Sequence, residues 1–136
     1  MPTTSAQQDA PPVVGVIDPD PVARSGLRTL LHGLGIDVST FDSAESYLLA
    51  GGGRHVACLI VDLLLPGMSG LELLRRLRNA GNDVPVILLA DESDVPTAVA
   101  AMREGATDFI EKPYVDVAVL KQVQKLLHTP PASAHA

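Results

Sequence analysis

The stretch VACLIVDLLLPGMSG, residues 56–70, decides the fold. Its apolar run is interrupted by one carboxylate, Asp62, and Pro66 and Gly70 follow four and eight positions later. An apolar run of this length, bounded by turn residues, reads as a strand buried on both faces, the kind found in parallel sheets. Asp62 then lies at the sheet's carboxyl edge, where open α/β folds place their chemistry. Taken alone, Asp62 could equally be a residue that leaves the core and hydrates in a loop. Its surroundings decide between the two.

Toward the C-terminus, Ser69 with Glu72 forms a capping-box pattern for a helix striped by Leu71, Leu74 and Leu77, with Arg75, Arg76 and Arg78 on its solvated side. Residues 84–90, VPVILLA, read as another strand. Asp94 is placed to cap a helix that turns Val95, Ala98, Val99 and Met102 inward and stops at Gly105. Residues 108–111 form a brief strand before Lys112-Pro113. Asp116 then opens a helix with Val119, Leu120, Val123, Leu126 and Leu127 at helical spacing.

Toward the N-terminus, residues 13–17 form a strand that ends in Asp18-Pro19-Asp20-Pro21. Asp20 is an N-cap and Pro21 a first helical residue. That helix runs to about residue 34, burying Leu27, Leu30, Leu31 and Leu34, and stops at Gly35. Residues 36–41 form a strand, and Asp42 with Glu45 suggests a second capping box for a short helix ending in Gly51, Gly52 and Gly53. Strand and helix alternate five times, which predicts an α/β sandwich with a five-stranded parallel sheet between helical layers. The folded domain spans 13–128, between a disordered lead-in (1–12) and a flexible tail (129–136).

Composition narrows the function. The 136 residues suffice for one domain with a single core, and with 46% hydrophobic residues but no bilayer-length apolar run they imply a water-soluble protein with no membrane contact. The first residues lack a secretory pattern, and the single cysteine, Cys58, reads as a buried thiol, so a cytoplasmic location is expected. Ten Lys and Arg against sixteen Asp and Glu, a net charge of -6, argue against direct nucleic-acid binding. His32, His55, His128 and His135 lack metal-ligand spacing and are expected at the surface.

In a parallel sheet all strand C-termini point one way, so Asp18, Asp20, Asp62, Ala90 and Lys112 gather at one edge. Clustered carboxylates repel unless a cation joins them, and a hard, oxygen-liganded ion such as Mg²⁺ suits them. Magnesium beside a carboxylate favours phosphoryl chemistry, with Lys112 as a mobile point cation for the added charge. Neither G-x-x-x-x-G-K-[ST] nor G-x-G-x-x-G is present, so a nucleotide-binding version of the fold lacks its phosphate cradle.

These residues together resemble the receiver domain of bacterial two-component response regulators, over about residues 13–127. Asp62-x-x-x-Pro66-x-x-x-Gly70 resembles the phosphoacceptor loop, and Lys112-Pro113 resembles the lysine that precedes a cis proline. DVPTAVAAMREGATDFIEKPY, residues 94–114, is like receivers usually joined to a helix-turn-helix output domain. The resemblance implies a flavodoxin-like (βα)5 fold, strand order 2-1-3-4-5. It also implies Asp62 as phosphoacceptor, Lys112 as phosphate-sensing cation and Phe109 as aromatic switch residue. Asp18, Asp62 and the Leu64 backbone carbonyl would be the Mg²⁺ ligands. Two positions depart from the pattern. Pro19 stands where a second metal-binding acid is usual, which makes Asp20 a candidate substitute and implies weak Mg²⁺ binding. Ala90 stands where the switch Thr or Ser is usual.

The resemblance therefore implies a single-domain response regulator that takes a phosphoryl group on Asp62 from a sensor histidine kinase. It would signal through a downstream regulator or phosphotransfer protein, with a homodimer through the fourth helix, fifth strand and fifth helix. Such a protein is no conventional enzyme and catalyses at most its own aspartyl phosphorylation and dephosphorylation. The ending PPASAHA reads as a natural end, with no room after residue 127 for a DNA-binding domain. The alternatives are a pseudo-receiver that dimerises or binds partners without phosphorylation, as Pro19 and Ala90 suggest, or the receiver fragment of a DNA-binding transcriptional regulator. A small-ligand enzyme on the same fold has little support.

Overall fold

The computed structural model describes residues 12–51 and 56–128. Five strands, β1 (Val13–Ile17), β2 (Asp37–Phe41), β3 (Cys58–Asp62), β4 (Val86–Ala90) and β5 (Asp108–Glu111), form one sheet in the order β2-β1-β3-β4-β5. Every neighbouring pair is parallel. Parallel strands must be joined by crossovers over a sheet face, and five helices cover the two faces. These are α1 (Pro21–His32), α2 (Ala44–Leu49), α3 (Gly70–Asn79), α4 (Val95–Arg103) and α5 (Asp116–His128).

All five residues of β3 are buried, as its unbroken apolar run requires. Side chains alternate along a strand, so Leu59 and Val61 join one core while Cys58 and Ile60 join the other. The first core takes Tyr47 from α2, Leu73, Leu74 and Leu77 from α3, and Ala98 and Ala101 from α4. The second takes Leu27 and Leu31 from α1, and Val119 and Val123 from α5. Asp62 closes β3 opposite Leu89 of β4, which sets it at the carboxyl edge of the sheet's middle strand. Among the described residues no helix is long and apolar enough to cross a membrane.

Several local details depart from expectation. The α1 helix stops at His32, and Gly35, at φ 75, turns the chain, so Leu34 lies beyond the helix and is exposed. The α2 helix is capped by Ser43, whose hydroxyl accepts from the Ser46 amide. Asp42 is displaced from the cap and accepts from the Ser46 hydroxyl instead, which frees Glu45 for another partner. Gly51 has φ 110, whereas Gly52, Gly53 and His55 lie outside the described residues. The Ser69–Glu72 capping box is present in both directions.

Asp94 makes no side-chain cap; a 3-10 turn, Glu92–Asp94, leads into α4. The buried residues of α4 are Ala98 and Ala101, with Val99 and Met102 exposed, because small alanines let the helix lie close on the sheet. Arg78 is no simple solvated residue. Its guanidinium donates to the Gly105 and Asn82 carbonyls, while Arg75 makes a two-pronged pair with Glu104 at 2.6 and 2.8 Å. Two of the three arginines of α3, Arg75 and Arg78, thus grip the C-terminal end of α4.

Gly26 sits inside α1, and a Cβ built there meets nothing within 4 Å. Glycine in a helix interior costs about 0.5–1 kcal/mol relative to alanine. Gly26→Ala is expected to raise the urea midpoint by that amount of stability, and a lowered midpoint in equilibrium unfolding would contradict it.

Candidate functional site

Only two charged or polar residues are buried among the described ones, Asp18 at 2% exposure and Asp62 at 7%. The first follows β1 and the second ends β3, so adjacent strands deliver both to one edge. Isolated buried carboxylates are costly, and their placement together marks a site.

Each oxygen of Asp62 has a partner. Lys112 Nζ donates to Oδ2 at 2.8 Å, and the Leu64 amide donates to Oδ1 at 3.1 Å. Lys112 is brought in by the β5 terminus: its own amide donates to the Ala90 carbonyl at 2.8 Å, and its bond to Pro113 is cis. Burial lowers the Lys112 pKa, but the hydrogen bond and charge of Asp62, with Asp18 and Asp91 beyond, outweigh it and raise the pKa above its ordinary value. The ammonium is therefore charged at neutral pH.

Asp18 is held less completely. Its Oδ1 accepts from the Asp20 amide at 2.9 Å, while Oδ2 is buried without a hydrogen-bond partner. Burial raises its pKa most, the Asp20 amide opposes this, and the charge of Asp62 adds to the rise. Arg24, one turn into α1, fixes the Asp18 carbonyl at 2.6 Å.

The loop from Asp62 to α3 closes on itself. The Gly70 amide donates to the Leu63 carbonyl at 3.0 Å, and a Cβ on Gly70 would stand 2.7 Å from the Asp62 carbonyl oxygen. Only glycine admits this approach, which accounts for the spacing of Gly70 from Asp62.

The other anticipated residues fall as follows. Asp20 is exposed, and its Oδ1 caps α1 by accepting from the Val22 amide at 2.9 Å. Pro19 adds no carboxylate. Leu64 exposes its side chain while its backbone turns about Asp62. Ala90 is buried beside the site and has no hydroxyl to offer, and Phe109 is half-buried against the core cluster that includes Ala90. Sequence reading missed Arg24, whose position carries no motif, and assigned Glu45 to a capping box with Asp42, whereas its carboxylate accepts from the Met68 amide. It also passed over Tyr114, next to Lys112-Pro113, whose phenol is pushed up by burial and by the charge of Asp18.

The donor set suits a hard divalent cation. The unpartnered Asp18 Oδ2 beside the Asp62 carboxylate offers oxygen ligands and negative charge. It is sparse, since among the described residues no three His, Cys, Asp or Glu side chains stand together as a metal site.

A buried carboxylate at the edge of a 2-1-3-4-5 parallel sheet, paired with a lysine from the fifth strand, accords with the family that matches the chain. Residues 14–124 match the response regulator receiver domain, and the chain belongs to that family, the receivers of two-component systems. It is 42% identical over 114 residues to the transcriptional regulatory protein FixJ of Azorhizobium caulinodans, covering 84% of this chain and 54% of that one. It is also 42% identical over 119 residues to the C4-dicarboxylate transport transcriptional regulatory protein DctD of Pseudomonas aeruginosa, covering 88% of this chain and 26% of that one. The chain thus spans about half the length of the FixJ relative and about a quarter of DctD. Full-length FixJ from B. japonicum superposes with a TM-score of 0.84 at 34% identity, over 91% of this chain and 61% of that one. A response regulator receiver protein from Pseudoalteromonas atlantica does so with 0.78 at 36%, over 85% and 97%.

Proposed function

We propose that this receiver accepts a phosphoryl group on Asp62 from the phosphohistidine of a sensor histidine kinase and passes the signal on by protein contact. A carboxylate oxygen attacks phosphorus, the nitrogen–phosphorus bond breaks with its electron pair going to the imidazole, and an acyl phosphate remains. The observation that carries this reading is the 2.8 Å pair between Lys112 and the nearly buried Asp62 at the open edge of the sheet. The ammonium can follow the added charge as a mobile cation. Mg²⁺ held by Asp18, Asp62 and the Leu64 carbonyl would supply further neutralisation of phosphoryl oxygens. Pro19 leaves that ion one carboxylate short, and Asp20, with one oxygen in the α1 cap, is the remaining acid nearby.

The output is a contact surface. The exposed Val99, Met102 and Val117 lie on α4 and α5 and support a homodimer or a downstream partner on the α4–β5–α5 face. FixJ and DctD are named transcriptional regulators, which supports an output in transcription control, whether on the same polypeptide or on another protein. The acidic receiver itself is not expected to bind nucleic acid.

Incubation with Mg²⁺ and phosphoramidate, or with a cognate phosphorylated kinase, is expected to add the mass of one phosphoryl group, and Asp62→Asn to abolish the gain. Pro19 and Ala90 favour a second reading, a pseudo-receiver that works by contact alone. A wild-type chain that gains no mass from either donor would establish that reading instead.

A further inference from the structure

Glu45 lies on α2, and its Oε2 accepts from the Met68 amide at 2.9 Å, across 23 residues of sequence. Met68 belongs to the loop that leaves Asp62. Two further observations mark this contact as built in. Gly67, at φ +72, takes a backbone conformation that favours glycine, and Glu45 Oε2 lies 2.6 Å from where its Cβ would stand, so the carboxylate lies directly against the loop. The α2 helix that presents Glu45 is itself fixed, capped by Ser43 and anchored by the buried Ala44 and Tyr47. The Met68 amide in turn holds the Glu45 carboxyl below its ordinary pKa, so it is ionised at neutral pH.

The loop has four polar ties, one of them the Ser69–Glu72 capping box that opens α3. At its base, Gly70 donates to the Leu63 carbonyl. At the site, the Leu64 amide donates to Asp62 Oδ1. At its outer end Glu45 is the tie, a charge-assisted hydrogen bond and therefore stronger than a neutral one. Leu65 fills the first core between these points. Met68 also rests its side chain on the first core, so losing Glu45 would remove the polar tie on its backbone and loosen the segment from Pro66 to Met68, which adjoins Leu64 through Leu65.

We infer that Glu45 is a positioning residue for phosphoryl transfer: by holding Met68 it sets the Leu64 amide against Asp62 and fixes the direction in which the carboxylate faces its donor. This rests on the phosphoacceptor reading of Asp62. Misplacing a reacting group by about 1 Å can cost on the order of a hundredfold in rate, and a smaller shift costs less.

The test compares wild type, Glu45→Ala and Glu45→Gln in uptake of phosphoryl groups from phosphoramidate with Mg²⁺, followed by intact mass. Amide spectra of the same proteins are recorded without donor. Glu45 is exposed, and its replacement is expected to leave the fold standing. Glu45→Ala is expected to slow maximal uptake by about three- to tenfold at an unchanged half-saturating donor concentration, and to shift the Leu64 amide resonance together with that of Met68. Glu45→Gln keeps an acceptor for Met68 and should fall within about twofold of wild type. A merely structural role predicts no rescue by glutamine at matched stability and no effect confined to maximal rate. A competent wild type with Glu45→Ala unslowed, or with the Leu64 amide unmoved, overturns the inference alone. A wild type that takes up no phosphoryl group overturns the reading of Asp62, and this inference with it.

Discussion

Gly70→Ala is expected to lose about 1–3 kcal/mol of stability and most of the capacity to take up phosphate, through one collision. The new methyl would lie 2.7 Å from the Asp62 carbonyl oxygen, 3.0 Å from Leu63 Cα and 3.3 Å from the Leu63 carbonyl oxygen. All three are backbone atoms, so no side chain can swing away to relieve the contact. Relief requires α3 to back off, which breaks the Gly70–Leu63 hydrogen bond, or the end of β3 to bend, which moves Asp62 itself. The alanine's better helix propensity returns only about 0.5–1 kcal/mol. Equilibrium urea unfolding and phosphoryl uptake measured on the same sample decide the matter. A variant as stable and as readily phosphorylated as wild type would show that the approach of α3 to β3 is slack.

Asp18→Asn is expected to act in the opposite sense, stabilising the metal-free protein by about 1–2 kcal/mol at neutral pH while removing its response to Mg²⁺. Asp18 is 2% exposed and one of its oxygens has no partner, so the ionised form is poorly accommodated. Burial, and then the charge of Asp62, hold its pKa above the ordinary 3.8. A carboxyl whose pKa is raised by folding favours the folded state most while protonated. Its contribution is complete below the unfolded value and is lost as pH rises through the folded one. The stability gap between variant and wild type should therefore be small below about pH 4 and widen toward neutrality. Mg²⁺ should stabilise wild type by mass action and leave Asp18→Asn unchanged. Unfolding curves across pH, with and without Mg²⁺, test both parts. A variant less stable than wild type at pH 7 would mean that the ionised carboxyl is well held after all.

The parts of the site that sequence reading recovers are those with a local signature. Asp62 ends an apolar run whose turn-residue boundaries make it read as a strand buried on both faces. The Ser69–Glu72 pair is a capping box because both partners lie within one turn. The juxtaposition of Asp62 and Lys112, 50 residues apart, follows once all strands are parallel, since their C-termini then share one edge. The errors arise where physics offers near-equal choices or acts across space. Asp42 and Ser43 are both good caps, and only the start of α2 decides between them. In α4, alanine contributes little to an apolar stripe, so Val99 and Met102 read as inward beside Ala98 and Ala101 is passed over, although the two alanines are what fit against the sheet. Glu45 finds Met68 through tertiary folding alone, and the unpartnered oxygen of Asp18 is a property of packing that no spacing encodes.

The strand order has a bearing on how copies of the molecule can meet. β2 and β5 are the two margins of the sheet, and a bare margin offers unpaired amides and carbonyls that another chain can extend. Here the margins are short and acidic. β5 has four residues, begins with Asp108, ends with Glu111 and runs into Pro113, which has no amide proton to donate, while β2 begins with the exposed Asp37. Two such margins laid together would set carboxylate against carboxylate along a ladder too brief to offset the repulsion. Sheet-to-sheet growth, the usual route to fibrous aggregation, is disfavoured at such margins.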